Sequence, residues 1–279
     1  MVRWRFPSGR RLERCLGDAG GDVYAGIVAY GFRMIADLIQ SVRRTLRRSE
    51  RCNQLLAGVS PLYRFLAVHR DTQVVIEGYP RSANTFAYVA FARAQPAPIR
   101  IAHHLHSVAQ VRRGVRLGIP TIVLIREPRE AILSVAIRKE QSDLQWAVDE
   151  YLDFYTAMTP LMERVVIAEF HEVTGDFGAV IRRVNGRFGT AFAEFEHTDE
   201  NVAACYKEID EIEQYHTGGK AVRATHVARP SADRQEQKRL LESQLQAGRL
   251  TAKVAQAEEL YHSLCGPHTF ASTESRAQG

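Results

Sequence analysis

The sequence predicts an α/β protein in which a central parallel sheet is flanked by helices. Short runs of aliphatic and β-branched residues alternate with longer segments of helical periodicity along the 279-residue chain. These runs are apolar at nearly every position rather than at alternate positions, which is typical of strands buried on both faces. The four predicted strands lie at residues 73–78, 99–102, 121–125 and 165–168.

Helical patterns separate and follow these strands. The best marked is predicted over 142–162, because Ser142 and Gln145 form a capping-box pattern ahead of an apolar stripe. Residues 206–231 are polar and contain glycine, which favours a loop. The other predicted helices lie at 84–94, 107–117, 128–139, 176–188, about 232–247 and about 252–265.

Composition and charge divide the chain into three predicted regions. We expect a basic N-terminal helical arm over 1–70, a catalytic domain over 71–265 and a disordered tail over 266–279. The formal net charge is +5, and residues 1–51 alone hold eleven Arg against five acidic residues. An amphipathic helix from about 23 to 48 is expected to pack on the domain. Peripheral docking of this arm on a membrane is the alternative, and a solvated basic face is the plainest reading of its charge.

The cellular compartment is predicted from targeting and cysteine signals that the sequence does not show. The apolar run at residues 23–32 is too short to span a bilayer and too deep in the chain for a secretory signal. Cysteine spacing indicates neither a disulfide framework nor a zinc site. We therefore predict a cytoplasmic protein, with membrane association through the arm as the possible extension, and no nucleic-acid partner. The four cysteines are Cys15, Cys52, Cys205 and Cys265.

The first predicted strand runs directly into a small-residue turn and a helix, at residues 78–86 (GYPRSANTF). In such a turn, backbone N–H groups and the first helical amides converge on one point, where the helix dipole adds partial positive charge. Arg81 adds a permanent charge, and Ser82 and Thr85 add hydroxyl groups. A nucleotide triphosphatase would carry a Gly-Lys pair where Ala83-Asn84 stands. The turn therefore predicts an anion-binding loop without that lysine.

A second strand-to-helix junction follows the third predicted strand. Arg126 leaves the carboxyl end of that strand, Pro128 suits the first turn of the next helix, and Ser134 lies almost two turns along it. The carboxyl edge of a parallel sheet lines the ligand crevice. We therefore expect Arg126 beside the first loop, although a strand-ending Arg in a structural ion pair is the alternative.

Together the two junctions resemble the nucleotide-binding motifs of PAPS-dependent sulfotransferases. Residues 79–86 fit the family's 5′-phosphosulfate loop, Y-P-[KR]-S-G-[TN]-T-[WF], except at Ala83, where the family usually has Gly. Residues 126–134 resemble its 3′-phosphate motif, R-[DN]-P-[RK]-[DE]-x-x-x-S. The resemblance implies an enzyme of P-loop type that moves a sulfuryl group from PAPS to a hydroxyl or amine and releases PAP. This chemistry requires no metal.

The resemblance also implies roles for individual residues. Arg81 corresponds to the cation that stabilises charge on the bridging oxygen as the sulfuryl group leaves. Phe86 is expected near the adenine, and Arg229 is a plausible counterpart of a late basic loop, although Pro230-Ser231 also fits an ordinary helix N-cap. Phe170 stands where the family usually has Tyr. The residues expected to hold the donor are Arg81, Ser82, Ala83, Asn84, Thr85, Phe86, Arg126, Ser134 and Arg229.

A base must remove the acceptor's proton, and imidazole has a suitable pKa. Residues 102–105 (AHHL) look similar to the K-T-H-L-P segment that holds the catalytic His of many cytosolic sulfotransferases. By that alignment His104 is the preferred base and His106 the second, while His103 points into packing. Glu77 is a rival, because some members acting on carbohydrates use a carboxylate. The remaining interpretation is that all three histidines are structural.

The acceptor is not specified by these motifs. Carbohydrates, glycolipids and small phenols or alcohols are all compatible, and a resemblance to bacterial members favours a carbohydrate-containing acceptor. A lipid-linked acceptor is the other expectation. Two other functions compete: a P-loop phosphotransferase, which the missing Gly-Lys pair disfavours, and a non-catalytic module that binds a nucleotide or an anionic polymer.

Overall fold

The computed structural model describes residues 49–139, 144–216, 232–245 and 248–266. They belong to one of the chain's two compact units, Arg47–Gly279. Several expectations lie outside the described residues: the amphipathic helix at 23–48, the capping Ser142, Arg229 and the tail beyond Gly266. The predicted boundaries between arm, domain and tail stay predictions.

Four parallel strands form the sheet, in the order β2-β1-β3-β4. Their bounds are Val74–Gly78 (β1), Ile101–His103 (β2), Thr121–Ile125 (β3) and Val166–Glu169 (β4). The predicted fold class is confirmed, and each strand lies within three residues of its expected place. The first crossover leads from β1 to β2 on one side, and the next returns past β1 to β3 on the other. Such a reversal opens a crevice at the carboxyl ends of the strands.

Helices cover both faces of this sheet. They are Glu50–Val59 (α1), Pro61–Leu66 (α2), Asn84–Ala94 (α3), Val108–Arg116 (α4), Pro128–Lys139 (α5), Gln145–Thr156 (α6), Phe170–Gly175 (α7), Phe177–Phe188 (α8), Asp199–His216 (α9), Ala232–Leu245 (α10) and Arg249–Cys265 (α11).

Two hydrophobic cores lie on opposite faces of the sheet. Alternate residues of β3 enter them, with Val123 and Ile125 on one side and Ile122 and Leu124 on the other. The first core joins α4, α5, α6 and α11, and the second joins α3, α8 and α9. Burial on both faces explains why the strands read as continuous apolar runs.

The long helix predicted over 142–162 is shorter in the structure. α6 ends at Thr156, and a 3₁₀ turn follows at Thr159–Arg164. Pro160 has no N–H and its ring clashes with the preceding turn, so the helix cannot continue through it. The part of the prediction beyond Thr156 is therefore wrong.

The prediction of a loop that begins near residue 206 is also wrong up to His216, because α9 extends to that residue. The start of α9 does contain helix-start signals, which the polar composition obscured. Asp199 and Glu200 lie in the first turn, and the Asn201 N–H donates to Thr198 Oγ1 at 3.2 Å. Cys205 and Ile209 are buried against the second core. Tertiary packing of one apolar stripe thus stabilises this mostly polar helix.

Helices α1 and α2 were not predicted individually within the expected arm. Ser49 Oγ accepts from Cys52 N–H, and Ser60 Oγ accepts from Tyr63 N–H with Pro61 in the first turn. Asn53 connects α1 to the start of α4, since its side-chain amide donates to Ser107 Oγ at 2.7 Å. Over the part of the chain that the structure describes, no helix combines the length and the hydropathy needed to cross a bilayer.

Gly78 ends β1 against Leu124 of β3, its partner in the ladder. A Cβ at this position would lie 2.4 Å from the Leu124 carbonyl oxygen, so no larger residue fits without moving the central strands.

We expect Gly78→Ala to lower the free energy of unfolding by about 3 kcal/mol, because a backbone atom cannot move aside as a flexible side chain would. Gly186→Ala is the matched control: it lies inside α8, nothing is within 4 Å of its added methyl, and helix propensity predicts a gain of about 0.5–1 kcal/mol. Urea denaturation measures both. Equal effects of the two substitutions would contradict the close approach.

Candidate anion-binding site

Three neighbouring strands end at one edge and present the predicted site residues there. The loop after β1 carries Arg81, the segment after β2 carries His104, and Arg126 follows β3 directly. Because β1 pairs with β2 on one side and β3 on the other, these segments are adjacent. The structure thus brings together residues that the sequence placed in three separate motifs.

The loop after β1 has the backbone of an anion-binding turn. Arg81 and Ala83 both have positive φ, 72° and 66°, and Ala83 is the N-cap of α3 without a side-chain cap bond. Left-handed residues in such a turn point successive N–H groups toward one concavity. An L-residue held there costs about 1 kcal/mol, which accounts for the usual Gly at position 83. Strain of this kind persists where the surroundings hold the loop in place.

Asn84 and a group of buried tyrosines hold the loop. The Asn84 amide donates to the Tyr79 carbonyl at 2.9 Å. The Tyr79 N–H donates to the Tyr155 hydroxyl at 3.3 Å, which itself donates to the Leu124 carbonyl at 2.7 Å. Tyr155 and Tyr79 are almost fully buried. These hydrogen bonds therefore hold the loop, which follows β1, against β3 as well.

Arg81, Arg126 and Ser134 form a direct chain of contacts. The Arg81 Nε–H donates to Ser134 Oγ at 3.1 Å, and an Arg126 Nη donates to the Arg81 carbonyl at 3.1 Å. Ser134 is buried in the second turn of α5. The two basic motifs consequently form one surface rather than two distant ones.

Arg126 is enclosed on several sides, with its side chain only 17% exposed. Its guanidinium lies 4.1 Å from the centre of the Phe170 ring and donates to Glu130 at 2.9 Å. Lys238 also contacts Glu130. Burial lowers the pKa of Arg126, and Glu130 opposes that effect. The ion pair expected as an alternative role thus exists, but Glu130 divides its charge between two cations.

Phe170 and Lys238 are parts of this site that the sequence did not assign. Phe170 was noted only as replacing a Tyr, and its ring face provides a cation–π contact that a phenol would also make. Lys238 comes from α10, far along the chain. Neither role has a local signal in the sequence.

The histidine segment after β2 contacts the anion loop. His104 Nε2 lies 3.0 Å from Thr85 Oγ1, and His106 Nδ1 lies 2.7 Å from the Gly78 carbonyl oxygen. Both histidines have positive φ, 60° and 48°. His103 differs: it is buried and its ring stacks on Tyr88 at 3.8 Å between centroids. Burial lowers the pKa of His103 to about 2, with the charges of His104 and His106 acting in the same direction.

Glu77 supports the histidine segment from within. Its carboxyl is fully buried, and Oε1 accepts from the Leu105 N–H and from the Gln110 side-chain amide, each at 2.9 Å. Burial raises the pKa of Glu77 to about 7, while these hydrogen bonds oppose the rise. This carboxyl therefore faces the backbone between His104 and His106 and determines where the segment lies.

Phe86 is enclosed by other aromatic side chains. Its ring is buried in α3 and contacts Phe195, His197 and Tyr206 with centroid distances of 5.7–6.2 Å. The expected adenine contact stays a prediction. Ser82 is fully buried, whereas Thr85 is partly exposed beside His104. Among the described residues, no three His, Cys, Asp or Glu side chains are grouped so as to hold a metal ion.

Comparisons with known proteins add little to this geometry. No model of a known protein family matches the chain, and no curated protein sequence is significantly similar to it. Among solved structures, a mouse sulfotransferase complexed with PAP is similar to it, covering 72% of this chain and 95% of that one. The TM-score is 0.37 and the sequence identity 12%, so this likeness adds no support for any particular activity.

The buried Glu77 carboxyl should make stability depend on pH. Its pKa is 4.5 when exposed and about 7 in the folded protein. The unfolded chain therefore loses this proton first, and stability falls as pH rises from about 4.5 to about 7, by about 3 kcal/mol in total at about 1.4 kcal/mol per pKa unit.

Glu77→Gln removes this titration while keeping a similar shape. Urea denaturation of wild type and variant at pH 5 and pH 8 measures the difference. We expect near-equal stability at pH 5 and a more stable variant at pH 8. A constant difference across this range would mean that the folded protein does not raise the pKa of Glu77.

Proposed function

We propose that this protein transfers a sulfuryl group from PAPS to an acceptor hydroxyl or amine and releases PAP. The observation that carries the proposal is the direct link between the two basic motifs through Arg81, Ser134 and Arg126. A ligand with anionic groups at two ends of one nucleoside fits such a surface. The residues and their order along the chain resemble the sulfotransferase motifs in the same two places.

Binding of the donor would follow from the chemistry of each group. The loop amides, the α3 N-terminus and Arg81 suit the 5′-phosphosulfate end. Arg126 and Ser134 suit the 3′-phosphate, because a guanidinium presents paired donors to a phosphate. That anion would also neutralise the positive charge that Glu130 offsets only in part.

In the transfer step, His104 accepts the proton from the acceptor's hydroxyl or amine. The acceptor atom forms a bond to sulfur as the bond between sulfur and the bridging phosphate oxygen breaks, and the electron pair leaves with PAP. Arg81 stabilises the charge that develops on this oxygen. His104 is preferred as the base because it is beside Thr85 in the anion loop, whereas His103 is buried and a very weak base.

The acceptor proposed is a carbohydrate-containing or lipid-linked molecule. The phosphotransferase alternative lacks the lysine of the triphosphate loop, since Asn84 occupies that position. Magnesium-dependent ATP turnover would favour it. A non-catalytic module would bind PAP yet label no molecule when sulfur-labelled PAPS is supplied.

Calorimetry with PAP tests the nucleotide site. We expect wild type to bind PAP and Arg126→Ala to bind on the order of 100-fold more weakly, because a charge-assisted phosphate contact contributes about 1.5–3 kcal/mol. Arg182→Ala is the control, since Arg182 lies on α8 and forms an exposed ion pair with Glu194. No heat of binding with the folded wild-type protein would refute the proposed function.

The assignment of the base is tested with sulfur-labelled PAPS and a cell extract as the source of acceptors. We expect His104→Ala to lower the rate of labelling by about 10²–10⁴-fold, the usual contribution of a general base. PAP affinity should be almost unchanged, which separates loss of the base from loss of donor binding. A larger loss in His106→Ala than in His104→Ala would move the role to His106.

A further inference from the structure

Helices α1 and α2 expose an apolar surface formed by Leu55, Val59, Leu62 and Phe65. These side chains are 70%, 81%, 58% and 61% exposed, respectively. Leu55 and Val59 are one turn apart on α1, and Leu62 and Phe65 are one turn apart on α2. Four large apolar side chains exposed on two consecutive helices are typical of an interaction site rather than of the single scattered apolar residues of ordinary surfaces.

Basic residues accompany this α1–α2 apolar surface. Residues 50–70 contain three arginines, Arg51, Arg64 and Arg70, against one acid, Glu50. Glu50 is already paired with Arg116. Arg51 is exposed and lies one turn before Leu55 on the same face of α1, and Arg70 is exposed just after α2. The surface therefore combines apolar side chains with exposed positive charge at Arg51 and Arg70.

The same surface is connected to the candidate active site. The Phe65 ring lies edge-on to the His103 ring, with centroids 5.9 Å apart. Gln110 bridges the two regions, because its side-chain amide donates both to the Leu66 carbonyl at the end of α2 and to Glu77. A partner bound by α1 and α2 would thus lie beside the histidine segment.

We propose that the α1–α2 apolar surface docks on a lipid bilayer that carries anionic headgroups. Apolar insertion together with basic attraction provides the two signals that peripheral binding requires. A second copy of this chain fits less well, because its symmetric contact would bring Arg51 and Arg70 of both copies together. One consequence rests on the proposed function: the sulfuryl acceptor is a lipid-linked molecule reached at the membrane surface.

Sedimentation with vesicles tests the docking. The full chain is mixed with vesicles of phosphatidylcholine alone, or of equal parts phosphatidylcholine and phosphatidylglycerol. We expect binding to the anionic vesicles that falls at least about 10-fold in Leu55→Gln/Val59→Gln, since each residue loses its apolar insertion. Arg51→Gln/Arg70→Gln should weaken binding to anionic vesicles only, by about 30-fold, since each lost charge costs about 1 kcal/mol.

Leu240→Gln is the matched control, because Leu240 is 65% exposed on α10, outside this surface. It should bind vesicles as wild type does. Equal vesicle binding by wild type and Leu55→Gln/Val59→Gln would overturn the proposal. It would also be overturned if the wild type were a dimer and this double substitution made it monomeric without weakening vesicle binding. PAP calorimetry on the same variant separates the two proposals: unchanged PAP affinity with lost vesicle binding supports docking, whereas absent PAP binding in wild type refutes only the enzymatic function.

Discussion

The burial of arginine charge at one sheet edge is the constraint on which this structure depends. Arg126 lies between the Phe170 ring, Glu130 and the carbonyl of Arg81, and it is largely removed from water. A buried cation is tolerated only when its donors are satisfied and its charge is balanced. Here Arg126 pairs with Glu130, which is shared with Lys238, and Glu127 adds negative charge nearby. This arrangement is the electrostatic basis of the anion binding proposed above.

The backbone around these charges is held in a costly conformation by packing. Arg81 and Ala83 adopt positive φ, which an isolated loop would seldom maintain. Tyr79 and Tyr155 supply the support, because their hydroxyl groups bond to backbone carbonyls of the surrounding elements while their rings fill the core. Rigid support of a strained loop keeps its amides aimed at a ligand before the ligand arrives, which lowers the entropy lost on binding.

A single buried network joins the anion loop, the histidine segment and helix α2. Glu77 precedes the loop and accepts hydrogen bonds from Leu105 and Gln110, and Gln110 also bonds to the end of α2. Helix α2 and the segment that carries His104 are therefore held by the same hydrogen-bond network. The proposed membrane contact and the proposed chemistry thus share one rigid support.

The sequence by itself determined the strands, their parallel arrangement and both basic junctions, because burial on two faces and strand-to-helix turns leave local patterns. It also indicated that Arg126 lies beside the loop that carries Arg81. Only the tertiary structure decided the contacts of Phe170 and Lys238 with the Arg126–Glu130 pair, the burial of Glu77, and the exposure of α1 and α2. Periodicity reports which face of an element is apolar. It contains no information on which distant side chain will cover that face or pair with a given charge, since those contacts arise from packing between elements.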